Sequence, residues 1–418
     1  MSADVPAPAG LQGGPVYLDY NATTPVDPRV VEAMLPYLTT HFGNPSSGHH
    51  YAEQPRRALA AARQQVAVLI GAASDEIVFT GSGSEADTLA IHGSVMAHRR
   101  PSDVQVITQV TEHPAVLEAC RTLHRRHGTE VTYLPVGSDG RVRPDDLAEA
   151  LTSRTALVSI MAANNETGVL QPLDELARLA RKHGALFHTD AAQAVGKIPI
   201  DVRRLGVDLL SVVGHKMYAP KGVGALYVRS GVLLEPLVPG GGQERGLRAG
   251  TENVALAVGL GAAADLARRD LADDGRRLRE LRDLLYRRLT DLLPGRVRLT
   301  GHATLRLPGT LHVGIIGVRG DDLLAATPAI AAATGSACHA RSQEPSPVLL
   351  AMPRDRGEVL SALRLSLGRW TTRSDVERAA EAIAATAHDL LARAAPPRPE
   401  VDAAGLPADP VGGGQVVR

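Results

Sequence analysis

The chain has 418 residues, enough to bury a large core and to form two or three structural units. Apolar residues make up 44% and charged residues 22%, and 45 lysines and arginines balance 45 aspartates and glutamates. A net charge of zero gives no overall attraction to nucleic acid or to an anionic membrane. No window approaches about 18 uninterrupted apolar residues, so we expect no transmembrane helix.

The N-terminus, MSADVPAPAGLQGGP, has neither a basic start nor an apolar core, so we expect no secretory signal. Residues 1–15 and 395–418 are rich in Pro, Gly and Ala, which predicts two disordered ends. The chain has two cysteines, Cys120 and Cys338, too few for a disulfide framework. These features predict a reduced, cytoplasmic protein.

From residue 16, strand-like and helix-like segments alternate. Short apolar runs, often β-branched, predict strands at EIVFTG, DVQVITQV, EVTYLPV, TALVSIMAANN, ALFHTDAAQ, DLLSVVG and VGALYVR. Helices are predicted at SEADTLAIHGSVMAHRR, PAVLEACRTLHRRHG and LDELARLARKHG, and the last two end at a His-Gly pair typical of a C-cap. This alternation predicts an α/β fold with a mostly parallel sheet and helices on both faces.

The pattern changes near residue 256. Residues 254–293 form a long Ala/Leu/Arg-rich helical pattern, and short strands and helices alternate from there to residue 394. We therefore predict a large domain over residues 16–255 and a smaller α+β domain over residues 256–394.

Lysine is rare in this chain. The four lysines, Lys182, Lys197, Lys216 and Lys221, fall within one stretch of 40 residues. Lys216 lies between two strand-like runs, and burial at such a junction lowers a lysine's pKa and frees its amine for Schiff-base chemistry. Asp190 ends another strand-like run. Such a lysine, with an acid for a pyridinium nitrogen, is the minimal equipment for pyridoxal phosphate, and both side chains would share the crevice beyond the strand ends.

Other polar residues also follow predicted strands. In FTGSGSEADTLAIHG, the N–H groups of Gly83 and Ser84 suit a phosphate, the alternative being a plain turn and N-cap. His113 is either a helix-entry residue or an imidazole stacked on a planar cofactor. Asn165 and Gln193 are either loop hydrogen-bonders or donors to the phenolic oxygen of pyridoxal.

Cys338 lies in the polar segment TGSACHARSQEPSP, where the charges of His339 and Arg341 favour a thiolate and a flexible loop would suit a nucleophile. Cys120 lies in a helical pattern, which predicts a structural role. The spacing around Arg364 favours a surface arginine on a strand over a fork for a substrate carboxylate. No metal-ligand spacing such as CxxC or HExxH occurs, so no metal site is predicted.

Taken together, these segments resemble the cysteine desulfurase and selenocysteine lyase family of pyridoxal phosphate enzymes over roughly residues 16–390. The resemblance implies a class V aminotransferase, that is an aspartate aminotransferase-like fold, a homodimer, and pyridoxal 5'-phosphate as cofactor. The matching segments are VYLDYNATTPVDP, FGNPSS, TEHPAV, SIMAANNETGV, HTDAAQAVGK, GHKMYAPKGVGALYV, GGGQERGLRAGTEN, GSACHARSQEPSPVLL and LRLSLGRWTT.

The resemblance also implies roles for individual residues. Lys216 would bind the cofactor covalently, Asp190 would pair with the pyridine nitrogen, and His113 would stack on the ring as a catalytic residue. Asn165 and Gln193 would hold the ring substituents.

The phosphate ligands implied by the resemblance are Gly83, Ser84, His215 and, from a second subunit, Thr251. Cys338 matches the family's catalytic cysteine. Arg364 matches the arginine that binds the substrate carboxylate, with Asn165 beside the substrate.

Some positions depart from the common desulfurase pattern. Val213 stands where many members have a serine near the phosphate, Thr88 replaces an asparagine, and Pro353 stands where a glycine is usual. Val213 and the segment after Cys338 look more like selenocysteine lyases, whereas the distance from Cys338 to Pro345 looks like that of the long-loop desulfurases.

We therefore expect an L-cysteine desulfurase that passes sulfur, as a persulfide on Cys338, to an acceptor or scaffold protein of iron–sulfur assembly or thiolation. Selenocysteine lyase is the alternative. An aminotransferase would leave Cys338 unexplained, and a silent binding scaffold would leave Lys216 and Asp190 without a role.

Overall fold

The computed structural model describes residues 5–335 and 345–394. Its strands are β1 (Val16–Tyr17), β2 (Ile77–Thr80), β3 (Gln105–Gln109), β4 (Glu130–Leu134), β5 (Thr155–Ser159), β6 (Leu186–Asp190), β7 (Leu209–Val213), β8 (Gly224–Val228), β9 (Val297–Leu299), β10 (Thr310–Ile315), β11 (Ile330–Ala331) and β12 (Ala362–Ser366). Its α-helices are α1 (Pro28–Met34), α2 (Pro36–Thr39), α3 (Glu53–Ile70), α4 (Gly83–Met96), α5 (Pro114–His127), α6 (Pro144–Ala150), α7 (Leu173–Lys182), α8 (Val202–Leu205), α9 (Val254–Leu292), α10 (Gly320–Ala325), α11 (Pro347–Leu350), α12 (Arg356–Leu360) and α13 (Arg373–Ala394).

Strands β2 to β8 form one sheet in the order β2-β8-β7-β6-β5-β3-β4. Its pairs are parallel except those of β8, which runs antiparallel to β2 and β7. Strands β2, β3, β5, β7 and β8 are buried at every residue, as expected where helices cover both faces. The predicted strands are all present, and the α/β prediction is confirmed.

The helix ends follow local chemistry. Gly128 closes α5 with φ +70°, a left-handed conformation in which its N–H reaches the carbonyl of His124 at 3.0 Å. Gly184, with φ +77°, follows α7 in the same way. The two predicted His-Gly ends are confirmed.

A second core lies around the antiparallel sheet β12-β10-β9. The end of α9 contributes Leu285 and Leu289 to it, and α13 contributes Ile383. The start of α9 packs into the core of the large sheet instead, through residues such as Leu260. Strand β1 pairs with β11, so Val16 also belongs to the second core. The domain boundary at residue 255 stays a prediction.

At the N-terminus, residues 9–11 form a short 3-10 helix, and Nε1 of Trp370 donates to the carbonyl of Val5 at 3.2 Å. Residues 1–4 and 395–418 of the predicted disordered ends lie outside the described residues, as does Cys338. None of the helices in residues 5–335 and 345–394 is long and apolar enough to span a bilayer.

Candidate active site

A cavity of about 390 Å³ lies beyond the carboxyl ends of the parallel strands, where α/β sheets bind ligands. Thr251 is exposed and does not line this cavity in the single chain, and Cys338 lies outside the described residues. The other nine predicted site residues all line it: Gly83, Ser84, His113, Asn165, Asp190, Gln193, His215, Lys216 and Arg364.

Lys216 ends a short 3-10 turn that follows β7. Its Nζ donates to the carbonyl oxygens of Asn21 and Ala22 at 2.8 and 2.7 Å. Two residues on, Tyr218 has φ +68°, a strained conformation for a non-glycine residue. Its ring is held beneath the Arg369 guanidinium, 4.4 Å from the ring centroid. The chain on both sides of the lysine is therefore fixed by tertiary contacts.

Three buried carboxyl groups interact with one another at the cavity, of which Asp87 and Asp190 line it and Glu112 does not. Asp190 ends β6 and accepts from the N–H of Ala192 at 2.9 Å. Burial, with the charge of Asp190, raises the pKa of both Asp87 and Glu112 well above the usual range. Glu112 also accepts from the N–H of Met161 at 2.6 Å, whereas Oδ1 of Asp87 accepts no hydrogen bond from the described residues and lies 3.7 Å from Nε2 of His188. The raised pKa values favour the neutral form of Asp87 and Glu112 beside Asp190.

We expect Asp87→Asn to raise the free energy of unfolding of the cofactor-free protein at pH 7 by about 1–3 kcal/mol. Burial raises the pKa of folded Asp87 well above the value near 3.8 of an unfolded aspartate, so folding favours proton uptake at this carboxyl, and asparagine needs no proton. The gain should shrink as the pH falls toward that value, because unfolded Asp87 then carries a proton too. Urea titrations at pH 7 and pH 5 measure it.

Asp174→Asn, at an exposed acid on α7, is the matched control and should give no gain. An equal free energy of unfolding for Asp87→Asn and the parent at pH 7 would contradict the protonated state of Asp87.

A buried histidine supports the acidic end from within β6. The ring nitrogens of His188 lie 2.8 Å from the hydroxyl of Ser159 and 3.1 Å from that of Ser211. Burial lowers the pKa of His188 to about 3, so the ring is neutral. It adds hydrogen bonds without adding charge.

His113 is both the N-cap of α5 and part of the cavity wall. Its Nδ1 accepts from the N–H of Ala115 at 3.1 Å, so the neutral ring carries its proton on Nε2. Burial lowers the pKa of His113, while Asp190 raises it and Lys216 lowers it further. His113 is therefore a helix-entry residue that also lines the cavity, and its stacking on a cofactor stays a prediction.

The N-terminus of α4 forms another part of the wall. Ser82 caps the helix by accepting from the N–H of Glu85 at 3.1 Å. A Cβ at Gly83 would lie 2.4 Å from Cγ2 of Val213, so only glycine allows this close approach. The free N–H groups and dipole at Gly83 and Ser84 favour an anion. Val213, one of the departures noted above, is the residue on which Gly83 packs.

His215 and Lys221 line the same cavity. Nδ1 of His215 contacts the hydroxyl of Thr23 at 3.1 Å. Burial lowers the pKa of His215 to about 4, with Lys216 and Lys221 adding to the effect. In addition to the helix N-terminus, the cavity therefore offers the neutral imidazole of His215 and the amine of Lys221.

Arg364 corrects the sequence interpretation, which favoured a surface position. It lies on β12 as predicted but is only 1% exposed. Nη2 donates to Oδ1 of Asp19 at 2.7 Å, and Nη1 to the carbonyl of Asn165 at 3.2 Å. Nε has no partner among the described residues. A buried guanidinium with an unused N–H suits a carboxylate.

Asn21 lines the cavity but was not singled out from the sequence. Its carbonyl accepts from Lys216 and, at 2.9 Å, from Nε2 of Gln193. Its side chain accepts from Nζ of Lys197 at 3.2 Å and donates to the hydroxyl of Thr310 at 3.0 Å. The available signal was its place in VYLDYNATTPVDP, one of the segments that carry the resemblance.

The described residues on either side of Cys338 lie beside the cavity wall. The N–H of Arg364 donates to the carbonyl of Ala333 at 2.7 Å. The hydroxyl of Ser346 donates to Oε2 of Glu166 at 2.5 Å. Cys338 follows Ala333 by five positions and lies outside the described residues.

The lining fits pyridoxal 5'-phosphate. The volume lies within the roughly 300–1,000 Å³ usual for ligand pockets. The cavity supplies N–H donors at a helix N-terminus for a phosphate, a buried carboxylate for a pyridine nitrogen and a lysine amine for an aldehyde. The residues that would hold the phosphate are Gly83, Ser84 and His215, while Asp190 would hold the ring nitrogen.

Comparison with known proteins places the chain in a family. The model of the family Aminotransferase class-V matches residues 16–379. The chain is 48% identical over 373 residues to the mitochondrial cysteine desulfurase of Drosophila melanogaster, covering 88% of this chain and 80% of the fly protein.

Two solved structures are also similar. A NifS-like protein superposes with a TM-score of 0.82 at 36% identity, covering 89% of this chain and 98% of that chain. The protein SspA in complex with cysteine gives a TM-score of 0.75 at 36% identity, covering 85% of this chain and 99% of that chain. The family match covers most of the residues that build the sheet and the cavity, and the chain is accordingly a member of the aminotransferase class-V family.

Proposed function

We propose that this protein is a pyridoxal phosphate-dependent cysteine desulfurase that converts L-cysteine to L-alanine and carries the sulfur as a persulfide on Cys338. The observation that supports it most is one cavity lined by Lys216, Asp190, His113 and Arg364. The desulfurase relative and the cysteine-bound structure point the same way.

When bound, pyridoxal phosphate supplies an electron sink for loss of the substrate Cα proton. Lys216 holds it through the ε-amino group, and the Asp190 carboxylate favours a protonated pyridine nitrogen. Arg364 binds the substrate carboxylate, and its orientation is already fixed by Asp19 and by the carbonyl of Asn165.

The sulfur transfer is assigned to Cys338. Its thiolate attacks the substrate sulfur, so an S–S bond forms while the Cβ–S bond breaks and Cβ takes up a proton. The products are alanine and a persulfide, which an acceptor or iron–sulfur scaffold protein receives. Cys120 is unsuited to this role, because burial raises its pKa to about 12. A cytoplasmic location stays a prediction.

We also propose a homodimer, in which Thr251 reaches the phosphate site of the other subunit. Thr251 is exposed and away from the cavity of its own chain. Leu38, Phe42 and Tyr51 are 66%, 75% and 62% exposed, and the rings of Phe42 and Tyr51 lie 5.5 Å apart. An exposed apolar cluster of this kind is typical of an interface.

Sedimentation is expected to give twice the 44.0 kDa mass of one chain. Phe42→Asp should shift the protein toward 44.0 kDa, because a carboxylate would be buried in the interface without a partner. Ile316→Asp, at an exposed apolar residue that directly follows β10, should leave the mass unchanged. A parent protein that sediments as a monomer at micromolar concentration would rule out the dimer.

The reaction is tested by an absorbance spectrum followed by alanine and sulfide assays with cysteine and a reductant. We expect a visible cofactor band and both products. Negligible alanine from cysteine with rapid alanine from selenocysteine would assign a selenocysteine lyase instead. Keto acid formation with an amino acceptor would indicate an aminotransferase, and no visible band after adding pyridoxal phosphate would indicate a binding scaffold.

A further inference from the structure

Gln193 is the cavity residue whose chemistry depends on its orientation. It is 4% exposed and lines the cavity. A carboxamide has an acceptor at Oε1 and two donors at Nε2, and the two ends have nearly the same shape. Whether the cavity presents an N–H or a carbonyl oxygen here decides which ligand atom it binds.

Two neighbours fix this orientation from opposite sides. Nζ of Lys197 donates to Oε1 of Gln193 at 2.6 Å, and the carbonyl of Asn21 accepts from Nε2 at 2.9 Å. A lysine ammonium only donates and a carbonyl oxygen only accepts. If the carboxamide were rotated by half a turn, Nε2 would face the Lys197 ammonium, donor against donor. Oε1 would then face the Asn21 carbonyl, acceptor against acceptor. The observed orientation is therefore the one that both neighbours allow.

The second N–H of Nε2 remains for the cavity, because Asn21 is the acceptor that Nε2 has among the described residues. Lys197 itself does not line the cavity. Burial lowers the pKa of Lys197 to about 7, with Lys216 and Arg364 adding to the effect. A neutral amine keeps two N–H groups for its two acceptors, Gln193 and Asn21. Its lone pair could also accept, so in that form the orientation is fixed by the carbonyl of Asn21, which only accepts.

The backbone keeps Lys197 in reach of Gln193. The two residues are four positions apart in the turn after β6, where the N–H of Lys197 donates to the carbonyl of Ala194 at 3.0 Å. Lys197 has no part in the proposed reaction, and its contact with Gln193 gives this buried lysine a role.

We propose that Lys197 is a positioning residue that fixes the Gln193 carboxamide so that an N–H faces the cavity. The ligand atom opposite must then be an acceptor, such as the phenolic oxygen of pyridoxal phosphate. The inference rests on the proposed function, since it concerns how the cofactor is bound, and it assigns no reaction step to Lys197.

The test is a double-mutant cycle on cofactor binding, with Gln193→Ala, Lys197→Met and the double variant. Cofactor-free protein is titrated with pyridoxal phosphate, and the visible absorbance gives a dissociation constant and a band position. We expect Lys197→Met to raise the dissociation constant of pyridoxal phosphate about five- to tenfold and to shift the visible band. We expect Gln193→Ala to have the same two effects. In the Gln193→Ala background, Lys197→Met should change the dissociation constant less than about twofold.

Two further variants separate orientation from general structure. Lys182→Met, at an exposed lysine on α7, should bind like the parent. Gln193→Glu can pair with Lys197 but presents only oxygen atoms to the ligand, so it should bind at least about twofold more weakly than Gln193→Ala. This second comparison does not require Lys197→Met to fold.

Equal losses from Lys197→Met in both backgrounds, parent-like binding by Lys197→Met, or binding by Gln193→Glu as tight as that of the parent would each overturn the positioning role alone. A parent protein that shows no cofactor band would overturn the proposed function together with it.

Discussion

Cys338→Ala is expected to lower alanine and sulfide formation from cysteine at least about 1,000-fold while leaving the visible band of the bound cofactor unchanged. An alanine methyl group cannot accept sulfur, so the Cβ–S bond has no nucleophile to receive it. The residues assigned to the cofactor lie elsewhere in the chain, on α4, at the end of β6 and in the segments that follow strands of the large sheet. Alanine assays and an absorbance spectrum measure the two effects.

Cys120→Ala is the matched control. Cys120 is fully buried in α5 and stays a thiol at neutral pH, because its pKa is about 12. The turnover rate of the Cys120→Ala variant should remain within about twofold of that of the parent, with at most a modest loss of stability. Mass spectrometry after alkylation should find the extra sulfur on Cys338 in the parent protein. Parent-like turnover by Cys338→Ala would assign the sulfur to another acceptor.

Lys216→Ala is expected to abolish covalent attachment of pyridoxal phosphate and to lower turnover at least about 1,000-fold. Lys216 is the lysine whose amine is held in the cavity wall by two carbonyl oxygens, next to His113 and Asp190 in the lining. Borohydride reduction followed by peptide mapping should find a pyridoxyl adduct at Lys216 in the parent protein and none at that position in the variant.

Lys182→Ala, at an exposed lysine of α7, should keep both the adduct and the rate. Lys221 also lines the cavity and is the alternative site of attachment. An adduct mapped to Lys221 in the parent protein would contradict the assignment of Lys216 as the residue that binds the cofactor covalently.

Much of the fold was predictable because its pattern is local. Buried parallel strands read as short β-branched runs, and a helix needs an apolar stripe and a cap, all of which lie within a few neighbouring residues. The residues that follow these strands, such as Lys216 and Asp190, meet at one sheet edge by topology alone. Their convergence in one cavity follows from the alternation of strands and helices.

Some site residues carried weaker signals. Asp87 lies four residues after Gly83 on α4, a helix that also carries Glu85, so an acid at this position gives only a weak signal. Lys197 follows Gln193 at one helical turn but lies outside any regular element. Neither pattern distinguishes a buried polar contact from a solvated side chain, because burial is decided by what packs above the residue.

The sequence by itself determined the α/β alternation, the strand-end positions of Lys216 and Asp190, and the family resemblance. The tertiary structure alone decided that Arg364 is buried and that Asn21 joins the site. Asp19 and Arg364 are separated by 345 positions, as are Asn21 and Ser366. Such contacts join the segment after β1 to β12, and packing between segments so distant in the chain leaves no periodicity in the local sequence.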